Sequence, residues 1–456
     1  MSVSFPELAA IRLGYGLSPL MAPPQSAAEV LGSVALSLTT DDAVTLQQVR
    51  ESAEKLAGLT KARAEGGAAA TERHRAYTTE LSFLPMVDLR RRMARALDAP
   101  AGFGERLVQF WADHFTVRAD GSGAQMMAMA FVDEAIRPHL NGRFEDMLIA
   151  ANTHPMMLRY LNQDTSVGPG SRVARNNPQR QLGLNENLAR ETIELHTLGV
   201  NADYDQTDVR QLAELMTGLT FRRRHEGVFN GNQAEPGAEV VLGRSYGGDG
   251  PARIEDIHAA LTDLARYPAT ARHLSFKLAQ HFLADQPRKA VIDDLTAVWR
   301  ETRGDLPSVY AALIGHQELA ATFRQKVRQP FDYLVAAMRA LGVTGQQILA
   351  IEPKRIRNDM HRAMARMGQP WNRPTGPDGW PEPASDWITP QGLAARIEWA
   401  LKMPARLADP LPDPRGFLAV ALGDTAGEAL TWAVPKAESV LEGVAIVLAS
   451  NEFNRR

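Results

Sequence analysis

Read at about 100° per residue, the stretch Leu184–Gly199 sorts its polar groups into one narrow band. Glu186, Asn187, Arg190, Glu194 and Thr197 share that band, and Leu184, Leu188 and Leu195 lie opposite. Ile193 sits at the edge of the polar strip, and Glu191 falls among the leucines. A surface helix shows one apolar stripe and a broad solvated face. This pattern instead predicts a largely enclosed helix with a seam of opposite charges and one carboxylate aimed at the core. Buried ions need partners, so the seam is either a structural network or a site.

The flanking chain predicts more helices. From Asp41 to Leu97, Ala, Leu, Glu, Arg and Gln favour long ones, with a break at Glu65-Gly66-Gly67. Over Gly104–Val117, Leu107, Phe110, Trp111 and His114 share one face, and Arg106, Gln109, Asp113 and Thr116 the other. His114 is then a satisfied core histidine, or a proton-transfer or metal-ligand group. Ala124–Met157 gives two helices, split near Arg137-Pro138 and Asn141-Gly142. Thr165–Gln181 is a loop whose Arg172, Arg175 and Arg180 either guard an anionic entrance or are simply solvated. After Gly199, Asp205 is a good N-cap with Asp208 in the first turn of a helix running to about Phe221.

Arg222-Arg223-Arg224-His225, Val228-Phe229 and Glu239–Leu242 predict a small β-hairpin excursion over 222–250. From Ile254 onward the pattern is helical again, and His273, Lys277, Gln280 and His281 line one side of a segment that starts at Pro268. Lys277 and His281, four residues apart, can meet one ligand or share solvent. Gly368–Pro390 holds Trp371, Trp380, Asp386 and Trp387 among prolines. Such a stiff loop can stack a sugar, cover a pocket or plug the core.

The fold expected is all-α (mainly α), a large multi-helix assembly and a single unit over 1–456. Within it lie a scaffold (1–100), a core with the central motif (101–221), the excursion (222–250) and C-terminal helices (251–456) carrying the 368–390 loop. Hydrophobic residues make up 45% of the 456, enough for a packed core. A net charge of −3 gives no electrostatic case for nucleic acid, since 222–224 is the one dense basic run. The absence of cysteine excludes a cysteine nucleophile, thiolate zinc sites and disulfides. No apolar run approaches the ~18 residues a membrane span needs, and no signal peptide is visible, so a cytoplasmic location is expected unless a partner carries the chain out.

The run Asn185-Glu186-Asn187-Leu188-Ala189-Arg190-Glu191, continued by Glu194–Gly199, Asp208-Val209 and Thr217-Gly218, resembles the hallmark of an uncharacterised bacterial family, domain of unknown function 1800. Phe110-Trp111 with His114-Phe115, His154–Met157, Pro268–Thr270, Lys277-Leu278 with His281-Phe282, and Gly368–Pro370 with Gly379–Pro381 fit its pattern in order. The resemblance covers nearly the whole chain. Ala112 stands where the family often has a second histidine before His114, and Asp205 where a threonine is expected. The resemblance implies no settled activity. It implies gene neighbourhood with proteins related to sulfatases and alkaline phosphatases that leave by the twin-arginine route, hence a partner of that kind and co-export to the periplasm.

Two functions follow. In the first, an enzyme uses Glu191 as a carboxyl raised by burial, Glu186 or Glu194 as its ionised counterpart held by Arg190, and His114 or His196 for proton transfer. Asn185, Asn187, Lys277, His281, Trp380, Trp387 and Asp386 would contact a glycan-like or other polymeric substrate, in hydrolysis or elimination. Mg²⁺ or Ca²⁺ on Glu and Asn oxygens is compatible. In the second, the seam is an internal clamp, and the chain is a non-catalytic assembly partner of an exported sulfatase- or phosphatase-like protein. No His-Glu-x-x-His, Gly-x-Ser-x-Gly, phosphate-loop or dinucleotide signature is present.

Overall fold

The computed structural model describes residues 3–221 and 227–456. Helices follow one another throughout, and the strands among the described residues form one antiparallel hairpin. The chain is mainly α. The break at Gly66-Gly67 separates α1 (Leu46–Ala64) from α2 (Ala68–Ser82), and both glycines take positive φ, 101° and 103°. Thr45 and Gln48 start α1 with a reciprocal capping box. α3 (Leu84–Asp98) buries most of its length, unlike α1. α4 (Phe103–His114) starts behind Gly102 and lies so close to Ser33 that a Cβ on Gly104 would meet the Ser33 carbonyl at 2.6 Å. α5 (Ser122–Phe131) and α6 (Phe144–Thr153) complete this half of the core.

The central stretch is shorter than its polarity pattern predicts. α7 (Asn187–Glu191) widens at once into a π turn over Thr192–His196, and Gly199, at φ 92°, turns the chain away. Enclosure is also less than predicted: the side chains of Glu186, Arg190 and Glu194 are 30%, 37% and 25% exposed. The seam lies at the rim of the contact between α7 and α8 (Gln206–Leu215), where Gln206 meets Glu186 and Arg190.

Asp205 and Asp208 form the capping box of α8. That helix stops at Leu215, short of Phe221, because Gly218 (φ 91°) turns the chain and Leu219 bridges Phe229. The hairpin is narrower than expected, pairing β1 (Gly237–Val241) with β2 (Arg244–Gly248). Arg222-Arg223-Arg224-His225 lie outside the described residues.

Pro268 opens α9 (Pro268–Phe282), where its missing N–H costs nothing. α10 (Pro330–Ala340) is buried on every side. One apolar cluster gathers the chain from Leu8 to Leu319, and a second gathers α3, α10 and the C-terminal helices around Tyr333, Trp399 and Phe453. Buried arginines tie the two. Arg12 donates to the carbonyls of Phe282, Thr322 and Arg456 (2.8, 2.6 and 2.9 Å), and Arg106 reaches Asp332 at 3.3 Å. A guanidinium survives such burial because its fork finds acceptors. No helix among the described residues is long and apolar enough to cross a membrane.

Candidate active site

The charged seam closes on itself. Arg190 bridges Glu186 and Glu194 at 3.2 and 3.3 Å, and Gln206 donates to Glu186 at 2.7 Å. Asn185 caps the helix start by accepting from the Asn187 N–H (2.9 Å) while its own N–H donates to Ser166. Glu191 turns the other way. It is half-buried and raised above its ordinary value, by burial first and then by Glu194 and Asp378, against Arg190. Tyr160 lies beside it, its phenol raised by burial and by Glu191.

The π turn supplies the second part. A helix end leaves carbonyls without intrahelical partners, and imidazoles take two of them here. His114 Nε2 donates to the His196 carbonyl at 3.2 Å, and His273 Nε2 donates to the Leu195 carbonyl at 3.3 Å. A carbonyl only accepts, so both rings carry their proton on Nε2. His114 Nδ1 is left buried with no partner among the described residues. His196 points its Nδ1 at the Asn152 side-chain oxygen (3.2 Å), which also accepts from Thr192 at 2.8 Å. All three imidazoles are held neutral by burial and by the Lys277 ammonium: His196 to about 3, His273 to about 4, and His114 well below its usual range.

Lys277 sits on α9, one turn from His273 and one turn from His281. Burial lowers its pKa, against the pull of Asp113, Glu382 and Asp378. It donates no hydrogen bond to any described residue. His281, expected to meet a ligand or solvent, is buried and built into a polar chain. Arg106 donates to its Nε2 (2.9 Å), so its proton is on Nδ1 and goes to Glu382 at 2.6 Å. Lys326 donates to the other Glu382 oxygen at 2.9 Å. Burial alone would raise Glu382; His281 and Lys326 overrule it and hold the carboxyl at about 2.

Asp113 comes from the polar face of α4, one residue before His114. Both its oxygens accept the backbone N–H of Trp380, at 3.0 and 3.2 Å. Gly379 makes that approach possible, since a Cβ there would stand 2.7 Å from the Asp113 carbonyl. Burial pushes Asp113 up to about 7, with Glu382 and Asp378 adding to the rise and the Trp380 N–H and Lys277 opposing it. Asp113, Arg106, His281, Trp380, Trp371 and Arg92 line a cavity of about 90 Å³ under the proline-rich loop. A larger hollow of about 780 Å³ lies between α1 and α5, away from this chemistry.

The loop does two of the things its composition allowed. Trp387 is buried and donates from its ring to the Pro381 carbonyl (2.9 Å), plugging the core, while Trp380 roofs the cavity. Asp386 is exposed, and among the described residues its carboxylate accepts only from the Ser385 hydroxyl, at 3.4 Å. The structure thus brings Lys277 and Trp380 to Asp113, with His281 in the same cavity wall, sets His114 and His196 at the π turn within electrostatic reach of Lys277, and leaves Glu186, Arg190 and Glu194 in the seam with Asn185 at the helix start beside it. No three His, Asp or Glu side chains among the described residues converge as metal ligands. The oxygens of Glu186 and Glu194, candidates for Mg²⁺ or Ca²⁺, face Arg190.

Asp113, Glu382 and Arg92 escaped the sequence reading. No local signal marked Asp113, whose partner Trp380 lies 267 positions away.

The family described as protein of unknown function (DUF1800) has a model that matches residues 9–455. The chain belongs to this family. The match runs through both apolar clusters, the seam, the imidazole group and the proline-rich loop. No curated protein and no solved structure matches the chain.

Proposed function

We propose that the chain is an enzyme whose acid–base centre is Asp113 with Lys277, acting on a glycan-like or other hydroxylated polymer that presents one unit to the cavity beneath Trp380. One observation carries this reading: Asp113 stands in the cavity wall, held by the Trp380 N–H, within electrostatic reach of a lysine to which no described residue offers a hydrogen-bond acceptor. A carboxyl near neutrality and a lysine lowered by burial can divide proton donor and acceptor roles between them. The neutral imidazoles of His114, His196 and His273 keep further positive charge away from Lys277. Glu191 joins from the central motif as a second raised carboxyl, beside Asp378. Glu186, Arg190 and Glu194 act as positioning residues that set the phase of the π turn.

A cavity of about 90 Å³ admits one group of a substrate, since whole small-molecule sites take roughly 300 Å³ or more. The test is turnover of a polysaccharide panel by the wild type, Asp113→Asn and Lys277→Met. Activity lost in both variants, each still unfolding cooperatively as a folded protein, supports the reading. Activity retained in either ends it.

A second reading draws on the seam, which is closed on itself and borders solvent. There the chain is a non-catalytic companion of an exported sulfatase- or alkaline-phosphatase-like protein, and affinity capture from the native organism should recover such a partner.

A further inference from the structure

Arg92, on α3, is 5% exposed and lines the cavity. Its Nε donates to Asp88 at 3.3 Å, and its guanidinium lies 5.7 Å from the centre of the Trp371 ring. Its two terminal nitrogens donate to no described residue. Every other buried arginine among the described residues uses at least one terminal nitrogen, as Arg137 does on Glu105 (2.7 and 2.8 Å) and Arg396 on Asn454 and the Arg328 carbonyl (2.9 and 2.7 Å). The two terminal nitrogens of Arg92 are thus free to donate where the side chain lines the cavity. Asp88 is fully engaged elsewhere, its second oxygen accepting from Trp371 and Asn372, both at 2.9 Å. Asn372 holds that contact from the left-handed region, at φ 53°. Asp88 therefore holds the guanidinium by its Nε edge, beside the Trp371 ring, and leaves its fork for the cavity that Arg92 lines. That is how a planar, bidentate acceptor is read.

We propose that Arg92 is an anion-binding residue, and that the unit entering the cavity carries a carboxylate, sulfate or phosphate group, clamped by the Arg92 fork. The proposal deepens the acid–base reading, which it uses only to say what the bound unit is presented to. An acidic polymer, a uronate-containing or sulfated or phosphorylated one, is the substrate class that follows.

The full chain is titrated by calorimetry and tryptophan fluorescence with galacturonate, inorganic sulfate, inorganic phosphate and, as the neutral control, galactose. At least one anion binds and galactose does not. Galacturonate alone points to a carboxylated sugar; sulfate or phosphate points to the corresponding ester. Arg92→Gln and Arg92→Lys each weaken binding about tenfold or more, because lysine keeps the charge but lacks the fork. If Arg92→Gln fails to fold, Arg92→Lys decides alone. No anion bound by the wild type, or anion binding unchanged in Arg92→Lys, overturns the proposal. Asp113→Asn separates the two readings. Polymer turnover that persists in that variant sinks the acid–base centre and leaves the anion site standing, whereas anion binding that survives Arg92→Lys sinks only the anion site.

Discussion

The Trp380 backbone N–H is shared between the two oxygens of Asp113, 3.0 and 3.2 Å away. The contact joins the last turn of α4 to a loop some 267 positions later. It also sets a conflict inside the site, because the hydrogen bond favours the charged carboxylate while burial favours the neutral acid. Burial wins, leaving Asp113 near neutrality.

That conflict fixes a sign. The folded pKa of Asp113 is about 7 against an ordinary 3.8, so the folded state holds the proton more tightly. Its contribution to stability is full below about pH 3.8 and lost as pH rises through about 7. Asp113→Asn should therefore be more stable than the wild type at pH 8, on the order of a few kcal/mol, and match it only below about pH 3.8. Urea unfolding at the two pH values checks this. Equal differences at both would show that Asp113 is not raised.

Gly379 permits the same contact. It has φ 84°, and an added Cβ would stand 2.8 Å from Asp113 Oδ1. Gly379→Ala should cost about 1–3 kcal/mol from backbone strain and move the loop off Asp113. The expected readout is a lowered melting temperature together with greater solvent quenching of Trp380 fluorescence.

The helical order, the Gly66-Gly67 break and the Asp205–Asp208 cap were legible because period, glycine and capping chemistry act locally. The π turn was not. A wheel drawn with one constant angle cannot anticipate a widened turn at Thr192–His196, and that turn frees the carbonyls that His114 and His273 bind. Asp113 stayed hidden for a different reason. On α4 it shares a face with Arg106, Gln109 and Thr116, a pattern that does not say whether water or another part of the chain covers it. The answer came from Trp380, far away in sequence. Lys277 and His281 were placed on one side of α9 correctly, but nothing local distinguishes solvent from the Glu382 carboxylate as their neighbour.

The seam should be energetically minor. Its three charges are a quarter to a third or so exposed, and ion pairs of that kind are worth about 1 kcal/mol or less. Glu194→Gln should shift stability by no more than that. Glu105→Gln, which breaks the fully buried bidentate pair with Arg137, should cost about 3–5 kcal/mol. A large loss in Glu194→Gln would favour the clamp reading of the seam over the positioning role proposed for it.

Glu382 gives the opposite pH signature to Asp113. Its carboxyl is lowered from 4.5 to about 2, so its stabilising effect is present above about pH 4.5 and lost as pH falls through about 2. Glu382→Gln leaves Lys326 with Asp285 as its remaining carboxylate, at 2.6 Å. The variant should lose on the order of 3 kcal/mol at pH 7, and the gap to the wild type should narrow below pH 4.5. Denaturant unfolding across that window tests it.

Lys277 is the common cause behind the imidazoles, though not the larger one. For His196 and His273 burial comes first and the ammonium second. Lys277→Met keeps the apolar stem and removes the charge, so the two effects separate. His273, at about 4, should rise on that substitution yet stay below 6.5, because its burial is unchanged. Its Nε2–H still reaches the Leu195 carbonyl, so the tautomer should not change. Asp113 should move up as well, having lost a cation that favours its charged form. Imidazole and carboxyl resonances followed by NMR against pH read both shifts in one sample. An unmoved His273 would mean that the ammonium lies out of electrostatic reach of the π turn, and the acid–base centre would then lose its lysine.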